Sequence, residues 1–287
     1  MRIFEPHAHM TSRTTDDYET MAAAGVTVIV EPAFWLGQPR TSLGSFVDYF
    51  NSLLGWERFR ASQFGVAHHC TLALNPKEAN DDGLRREVLA VLPRYLAKDR
   101  VVAVGEVGYD SMTPEEDEAF AAQLALALEH DLPVLVHTPH RDKLAGTRRS
   151  LDVITESGLP PERVLIDHNN ELTVREVKES GCWLAFSIYP DTKMDEDRFV
   201  RIVDEYGTER MLVNSAADWG RSDPLKVVKT AAAMMEAGRS EDEVDQVVWR
   251  NPVEFFAQSG RLELDVERPA APATFAGNSI LRGERPA

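Results

Sequence analysis

The amino-acid sequence predicts an α/β fold, a closed (β/α)8 TIM barrel, on three observations. Short β-branched runs alternate with longer helical stretches along most of the chain. Those runs lack the polar alternation of a sheet with one wet face, as parallel strands covered on both faces do. Eight such units fit in about 240 residues, the size of one barrel. A doubly wound open sheet is the alternative. That fold carries a Gly-rich phosphate loop after its first strand, and here the first strand runs into His7-Ala8-His9.

In chain order, Ile3 and Phe4 form a short first strand. Thr15-Asp16-Asp17 then starts a helix that Gly25 closes. Strands follow at Val26–Val30, Val66–Leu74 and Val101–Val104. Thr113-Pro114-Glu115-Glu116 is a helix start: Thr113 caps, Pro114 suits the first helical position, and the acids face the positive dipole end. Strands recur at Pro133–Val136, Val164–Ile166, Cys182–Ile188 and Met211–Val213. Ser240-Glu241-Asp242-Glu243 reads as a capping box before the last helical stretch. Residues 1–265 are expected to make one barrel domain, and 266–287 a Pro/Ala/Gly-containing C-terminal tail.

Composition sets outer limits. The chain has 287 residues, 43% of them hydrophobic and 27% charged, an ordinary globular balance rather than a disordered one. Its net charge of −16 disfavours broad binding of a phosphate backbone, so nucleic acid is a disfavoured partner and a small molecule the expected one. No apolar run reaches the roughly 18 residues of a membrane span. The N-terminus lacks the apolar region of a signal peptide. Cys70 and Cys182 lie within apolar runs, which fits free thiols in a cytoplasmic protein.

Chemistry gathers where strands end. The first strand leads to His7 and His9, the fourth to Glu106, the fifth to His137, and the sixth, through Asp167, to His168. The eighth leads through Asn214 to Asp218. In a barrel these ends converge on one face, so four histidines and two carboxylates meet there. Alternation points His7 and His9 to the same side. Imidazole with carboxylate suits Zn²⁺ best, then Mn²⁺ or Fe²⁺, with oxygen-preferring Mg²⁺ the poorest match. Six ligands exceed one tetrahedral site, so one or two divalent ions are expected, Glu106 bridging a binuclear pair with one oxygen each. His140, Arg141 and Asn75 are candidate substrate-binding residues. Glu31 and Trp35 are candidate pocket residues, and His68 and His69 read as packing residues.

These motifs resemble the TatD-type metal-dependent hydrolases of the amidohydrolase superfamily. That family opens with Asp-x-His-x-His, here Glu5-Pro6-His7-Ala8-His9. Its Gly-Glu-Ile-Gly-Leu-Asp segment is similar to Gly105-Glu106-Val107-Gly108-Tyr109-Asp110, and its Leu-Pro-Val-x-x-His to Leu132-Pro133-Val134-Leu135-Val136-His137. Its closing helix looks like Asn251-Pro252-Val253-Glu254-Phe255-Phe256. The resemblance implies a distorted barrel with one ion on His7, His9, Glu106 and Asp218 and another on Glu106, His137 and His168. Three places depart. Asn75 stands where the family has His. Asn214-Ser215-Ala216 replaces Glu-Thr-Asp, with an acid only at Asp218. Asn169-Asn170-Glu171 replaces the residues that usually follow the sixth-strand histidine.

The expected activity is hydrolysis of an ester, amide, lactone or phosphoester of a small molecule. Asp218 would move the proton, and Glu106 would serve at the metals. A TatD-type deoxyribonuclease, and a metal-dependent isomerase or decarboxylase, are the rival readings.

Overall fold

The computed structural model describes residues 1–35, 37–271 and 273. Eight strands form one sheet: β1 (Ile3–Glu5), β2 (Val26–Pro32), β3 (Ala67–Leu72), β4 (Val101–Gly108), β5 (Val134–His137), β6 (Val164–Ile166), β7 (Trp183–Ser187) and β8 (Met211–Asn214). Neighbours pair in parallel and in sequence order. A doubly wound sheet reverses its order at a switch point, so that alternative is excluded.

The seam between β8 and β1 is closed just beyond the strand ends. Ala216 N donates to His7 O at 2.9 Å, and His9 N donates to Ala217 O at 2.8 Å. Between them the Glu5 carboxylate accepts from His7 N at 3.0 Å and from Ser215 N at 3.2 Å. The segments that carry the first two histidines and lead to Asp218 are thus stitched together.

β4 runs further than its apolar run predicts, through Glu106 to Gly108. Two glycines permit this. A Cβ on Gly105 would lie 2.6 Å from the Leu135 side chain, and one on Gly108 would lie 2.3 Å from His137 O. Only a backbone without Cβ brings β4 that close to β5, and the approach sets Glu106 beside His137.

Alternate strand residues fill the barrel interior. Phe4, Val28, Leu135, Leu165, Trp183 and Leu212 pack there with Phe255 and Phe256 of the helix Asn251–Ala257. The Phe4 and Phe256 rings stack at 5.7 Å. Asn251 Nδ2 donates to Thr208 O and Met211 O, both at 2.7 Å, and ties that helix to the start of β8. The interior is therefore plugged with apolar side chains at the strand starts, which leaves polar residues to the opposite mouth. Helix starts follow the sequence signals. Thr113 Oγ1 accepts from Glu116 N, and Ser240 and Glu243 form the reciprocal capping box.

Of the tail expected from residue 266, the described part packs on the barrel. Val266 joins the apolar plug, and Ala273 N donates to Gln63. The remainder, residue 272 and residues 274–287, lies outside the described residues. Among the described residues no helix is long and apolar enough to cross a membrane.

Behind the mouth, Arg40 pins the long segment after β2. Its guanidinium bonds both oxygens of buried Glu78 at 2.9 and 2.8 Å and lies over the rings of Phe46 and Tyr49. Glu31 turns away from the mouth instead of lining it. It accepts from Thr11 N at 2.7 Å and meets His68 Nε2 at 2.9 Å. Burial lifts Glu31 from a usual value near 4.5 to about 8, and burial depresses His68 to about 4. At neutral pH both are uncharged, and the protonated carboxyl donates to the imidazole. His69 meets Glu263 O, away from the mouth.

A folded-state value above the unfolded one means that Glu31 contributes stability at low pH and loses it as pH rises through about 8. Glu31→Gln keeps a donor for His68 and an acceptor for Thr11 but does not titrate. Relative to wild type it is expected to gain thermal stability between about pH 6 and about pH 9. A melting-temperature difference that stays constant across that range contradicts the assignment.

Candidate metal centre

Four strand ends deliver five of the expected residues to one cluster. His7 and His9 follow β1, Glu106 lies near the end of β4, His137 ends β5 and His168 follows β6. His7, His9 and Glu106 form one group whose ligand atoms lie within 4.8 Å of one another. Glu106, His137 and His168 form a second. His7 Nε2 and His9 Nε2 are 3.0 Å apart, and His168 Nε2 and His137 Nδ1 are 3.1 Å apart. Glu106 Oε1 faces both groups, 3.5 Å from His7 Nε2, 3.4 Å from His137 Nδ1 and 3.7 Å from His168 Nε2. Its other oxygen, Oε2, accepts from Asn75 Nδ2 at 3.4 Å. Asn75 thus touches Glu106 while also lining the pocket.

The far nitrogens of three rings are occupied. His9 Nδ1 donates to Pro32 O at 3.2 Å. His7 Nδ1 donates to Asp167 Oδ2 at 2.5 Å. His168 Nδ1 meets Ser187 Oγ at 2.6 Å. Ser187 donates in turn to Asn214 Oδ1 at 2.7 Å, and Asn214 Nδ2 donates to both oxygens of Asp167 at 3.0 and 3.2 Å. One chain of hydrogen bonds therefore runs from His168 to His7 beneath the cluster. It places the proton of each ring on Nδ1 and leaves the Nε2 lone pair facing inward, the arrangement by which carboxylates orient metal-binding histidines.

Charge states follow the same pattern. Burial and neighbouring His7 depress His9 to about 3, and burial holds His168 well below its usual value. Burial alone would raise Glu106, but His7, His137 and His168 outweigh it and hold the carboxylate far below its ordinary range. Asp167 is likewise kept ionised by His168 and His7 against its burial. For His7, Glu106 and Asp167 overcome burial and raise the value. His9 and His168 are thus neutral imidazoles beside an ionised Glu106, the states a divalent cation requires of its ligands, whereas the raised value of His7 means that an ion binding there displaces its proton. The site fits such an ion.

The cluster floors a cavity of about 610 Å³. Phe34 stacks on His9 at 3.7 Å, and Trp35 and Tyr189 make further aromatic wall. His140 lines the cavity, its ring 6.2 Å from those of His137 and His168. Arg141 is exposed and is not among the described residues that line it.

Asp218 also lines the cavity, but outside the two groups. Its Oδ1 accepts from Tyr189 Oη at 2.7 Å and from Gly220 N at 2.8 Å. Ala216, the ungapped match to the family aspartate, contributes its backbone to the seam.

Sequence reasoning missed Asp167 as the organiser, Ser187 and Asn214 as its connectors, and two lysines, Lys77 and Lys193, in the cavity wall. The signal for Asp167 was its place immediately before His168 at a strand end. The lysines sit in loops whose path the sequence does not reveal.

The TatD related DNase family matches residues 4–257 of the chain. An uncharacterized metal-dependent hydrolase of Methanocaldococcus jannaschii is 23% identical over 257 residues, 88% of this chain and 99% of the relative. A 3'-5' ssDNA/RNA exonuclease of Dickeya dadantii is 30% identical over 82 residues, 27% of this chain and 30% of the relative. The crystal structure of a TatD-like protein from Archaeoglobus fulgidus superposes with a TM-score of 0.73 at 28% identity. That match covers 88% of this chain and 99% of the other.

Asp167→Asn removes the charge that orients His7. It is expected to weaken divalent-metal binding roughly 10- to 100-fold, the usual effect of losing such a partner, as read by chelator competition. An unchanged affinity rejects the orienting role.

Proposed function

Because this chain belongs to the TatD-related family of metal-dependent hydrolases, we propose that it hydrolyses an ester, amide, lactone or phosphoester bond of a small molecule. The observation that carries this reading is the cavity of about 610 Å³, floored by His and Glu and walled by aromatic rings. Its size and mixed lining suit a compact ligand.

In this reading His7, His9 and Glu106 hold one ion, and Glu106, His137 and His168 hold a second, with Zn²⁺ the best chemical match. A divalent ion there supplies a lowered water pKa, near neutrality, and polarisation of the reacting oxygen. The protein's own groups do the rest. Asn75 steadies Glu106 through Oε2. Phe34 fixes the plane of His9. Asp218 takes the proton from the attacking water on Oδ2 and returns it to the leaving group, since Tyr189 and Gly220 occupy Oδ1. This role needs Asp218 at the cavity wall, not within the ligand groups. Buried free thiols at Cys70 and Cys182 support a cytoplasmic setting.

A nuclease is the second reading, favoured by the exonuclease name of the Dickeya relative. The net charge of −16 weighs against it.

The test is hydrolysis by metal-loaded protein of single-stranded DNA against a panel of small esters, lactones and phosphodiesters. Turnover of a small substrate is expected, abolished by chelation and by His137→Ala. Asp218→Asn is expected to lower kcat by about 10²- to 10⁴-fold, with metal content retained. Preference for DNA overturns the small-molecule reading. Activity that survives His137→Ala overturns the site.

A further inference from the structure

Lys193 lies in the cavity wall with its Nζ 3.2 Å from His168 Nδ1 and 3.5 Å from His168 Nε2. It also sits 5.4 Å over the Tyr189 ring. Among the described residues no carboxylate comes within 4.0 Å of this nitrogen, whereas Lys77, across the same cavity, is paired with Asp110 at 2.7 Å. Of the two lysines at the mouth, one is in contact with a carboxylate and the other is not.

The placement of Lys193 is built by its loop. Ile188 bridges to Met194, and Tyr189 N donates to Met194 O at 3.0 Å, which closes the turn. Arg198 Nη1 grips Lys193 O at 2.7 Å, and the same guanidinium is held by Glu171 through two bonds of 2.8 and 2.7 Å. A long, flexible side chain is thus delivered to the edge of the histidine cluster from an anchored backbone. Burial works against its charged form, while Asp167, Glu106 and Asp218 favour that form from beyond hydrogen-bond distance, and none of the three carboxylates contacts the ammonium.

We infer that Lys193 anchors an anionic group of the substrate, and that the substrate is a small carboxylic acid with an apolar body. One unpaired ammonium matches one negative charge. A compact point charge is enough for a carboxylate and lacks the forked geometry of an arginine. Phe34, Trp35 and Tyr189 receive the apolar body. This inference rests on the reading above that the chain hydrolyses a small molecule at the Glu106 and histidine cluster.

The experiment compares 3-phenylpropionate with its neutral amide, titrated into metal-loaded protein by calorimetry. Inorganic phosphate and a thymidine dinucleotide are run beside them, and metal content is measured on every sample. The acid is expected to bind at least about 10-fold tighter than the amide. Lys193→Met should erase that preference, and Lys193→Arg should restore most of it, with bound metal unchanged. Equal binding of acid and amide by wild type overturns the inference. So does a preference that persists in Lys193→Met, since the carboxylate would then be held by the metal alone, and so does tighter binding of phosphate or dinucleotide than of the acid. Loss of metal-dependent turnover with the acid preference intact would instead count against the hydrolytic reading and leave the anion anchor standing.

Discussion

Asp167 is buried just beyond the end of β6 and receives donors from His7 Nδ1 after β1, Asn214 Nδ2 at the end of β8 and its own neighbour His168 N. An isolated carboxylate at that depth would be driven to protonate. Here the donors and the nearby histidines keep it charged. That charge fixes the His7 ring, and through Asn214 and Ser187 it fixes His168. One residue from each ligand group is therefore oriented by a single buried anion, and Glu106 Oε1 joins the groups from above. An amide at position 214 is what the chain of bonds requires, because it must accept from Ser187 and donate to Asp167 at once.

The barrel makes this affordable in structural terms by separating two environments along one lumen. Aromatic side chains from β1, β7 and the helix Asn251–Ala257 fill the end at the strand starts, where close packing excludes water. The strand ends carry the polar groups, and the seam between β8 and β1 is itself made by the segments flanking the site. The loops add the substrate walls. Arg40 and Glu78 brace the loop that carries Phe34 and Trp35, and Arg198 with Glu171 braces the loop that carries Tyr189 and Lys193. The overall charge of −16 hides this local pattern: the mouth carries lysines, while much of the acid lies at helix starts such as Glu115 and Asp117.

Eight strands were legible in the sequence because each is a short, apolar, β-branched run, a local signal that burial on both faces produces. His7, His9, Glu106, His137 and His168 were legible for a related reason, since the residue that ends a parallel strand is forced to the mouth. The length of β4 was not, because it depends on the absence of a Cβ at Gly105 and Gly108 against a neighbouring strand. The partnership of Asp167 with Asn214 spans 47 positions, and Lys193 meets His168 across 25. Neither leaves a trace in local pattern. Glu31 was read as a pocket residue from its place at a strand end, and it fails that rule because it pairs with His68 on the outer face of the sheet. The placement of Asp218 likewise depended on the path of the loop after β8, which swings it to Tyr189.

The cluster of His7, His9, Glu106, His137 and His168 is proposed as the seat of the divalent metal. Anomalous diffraction at the zinc absorption edge, from crystals of the protein grown with Zn²⁺, tests it most directly. Anomalous density is expected among His7, His9 and Glu106, among Glu106, His137 and His168, or in both places. Density centred on Asp218 or elsewhere in the molecule, with none at Glu106, would contradict it.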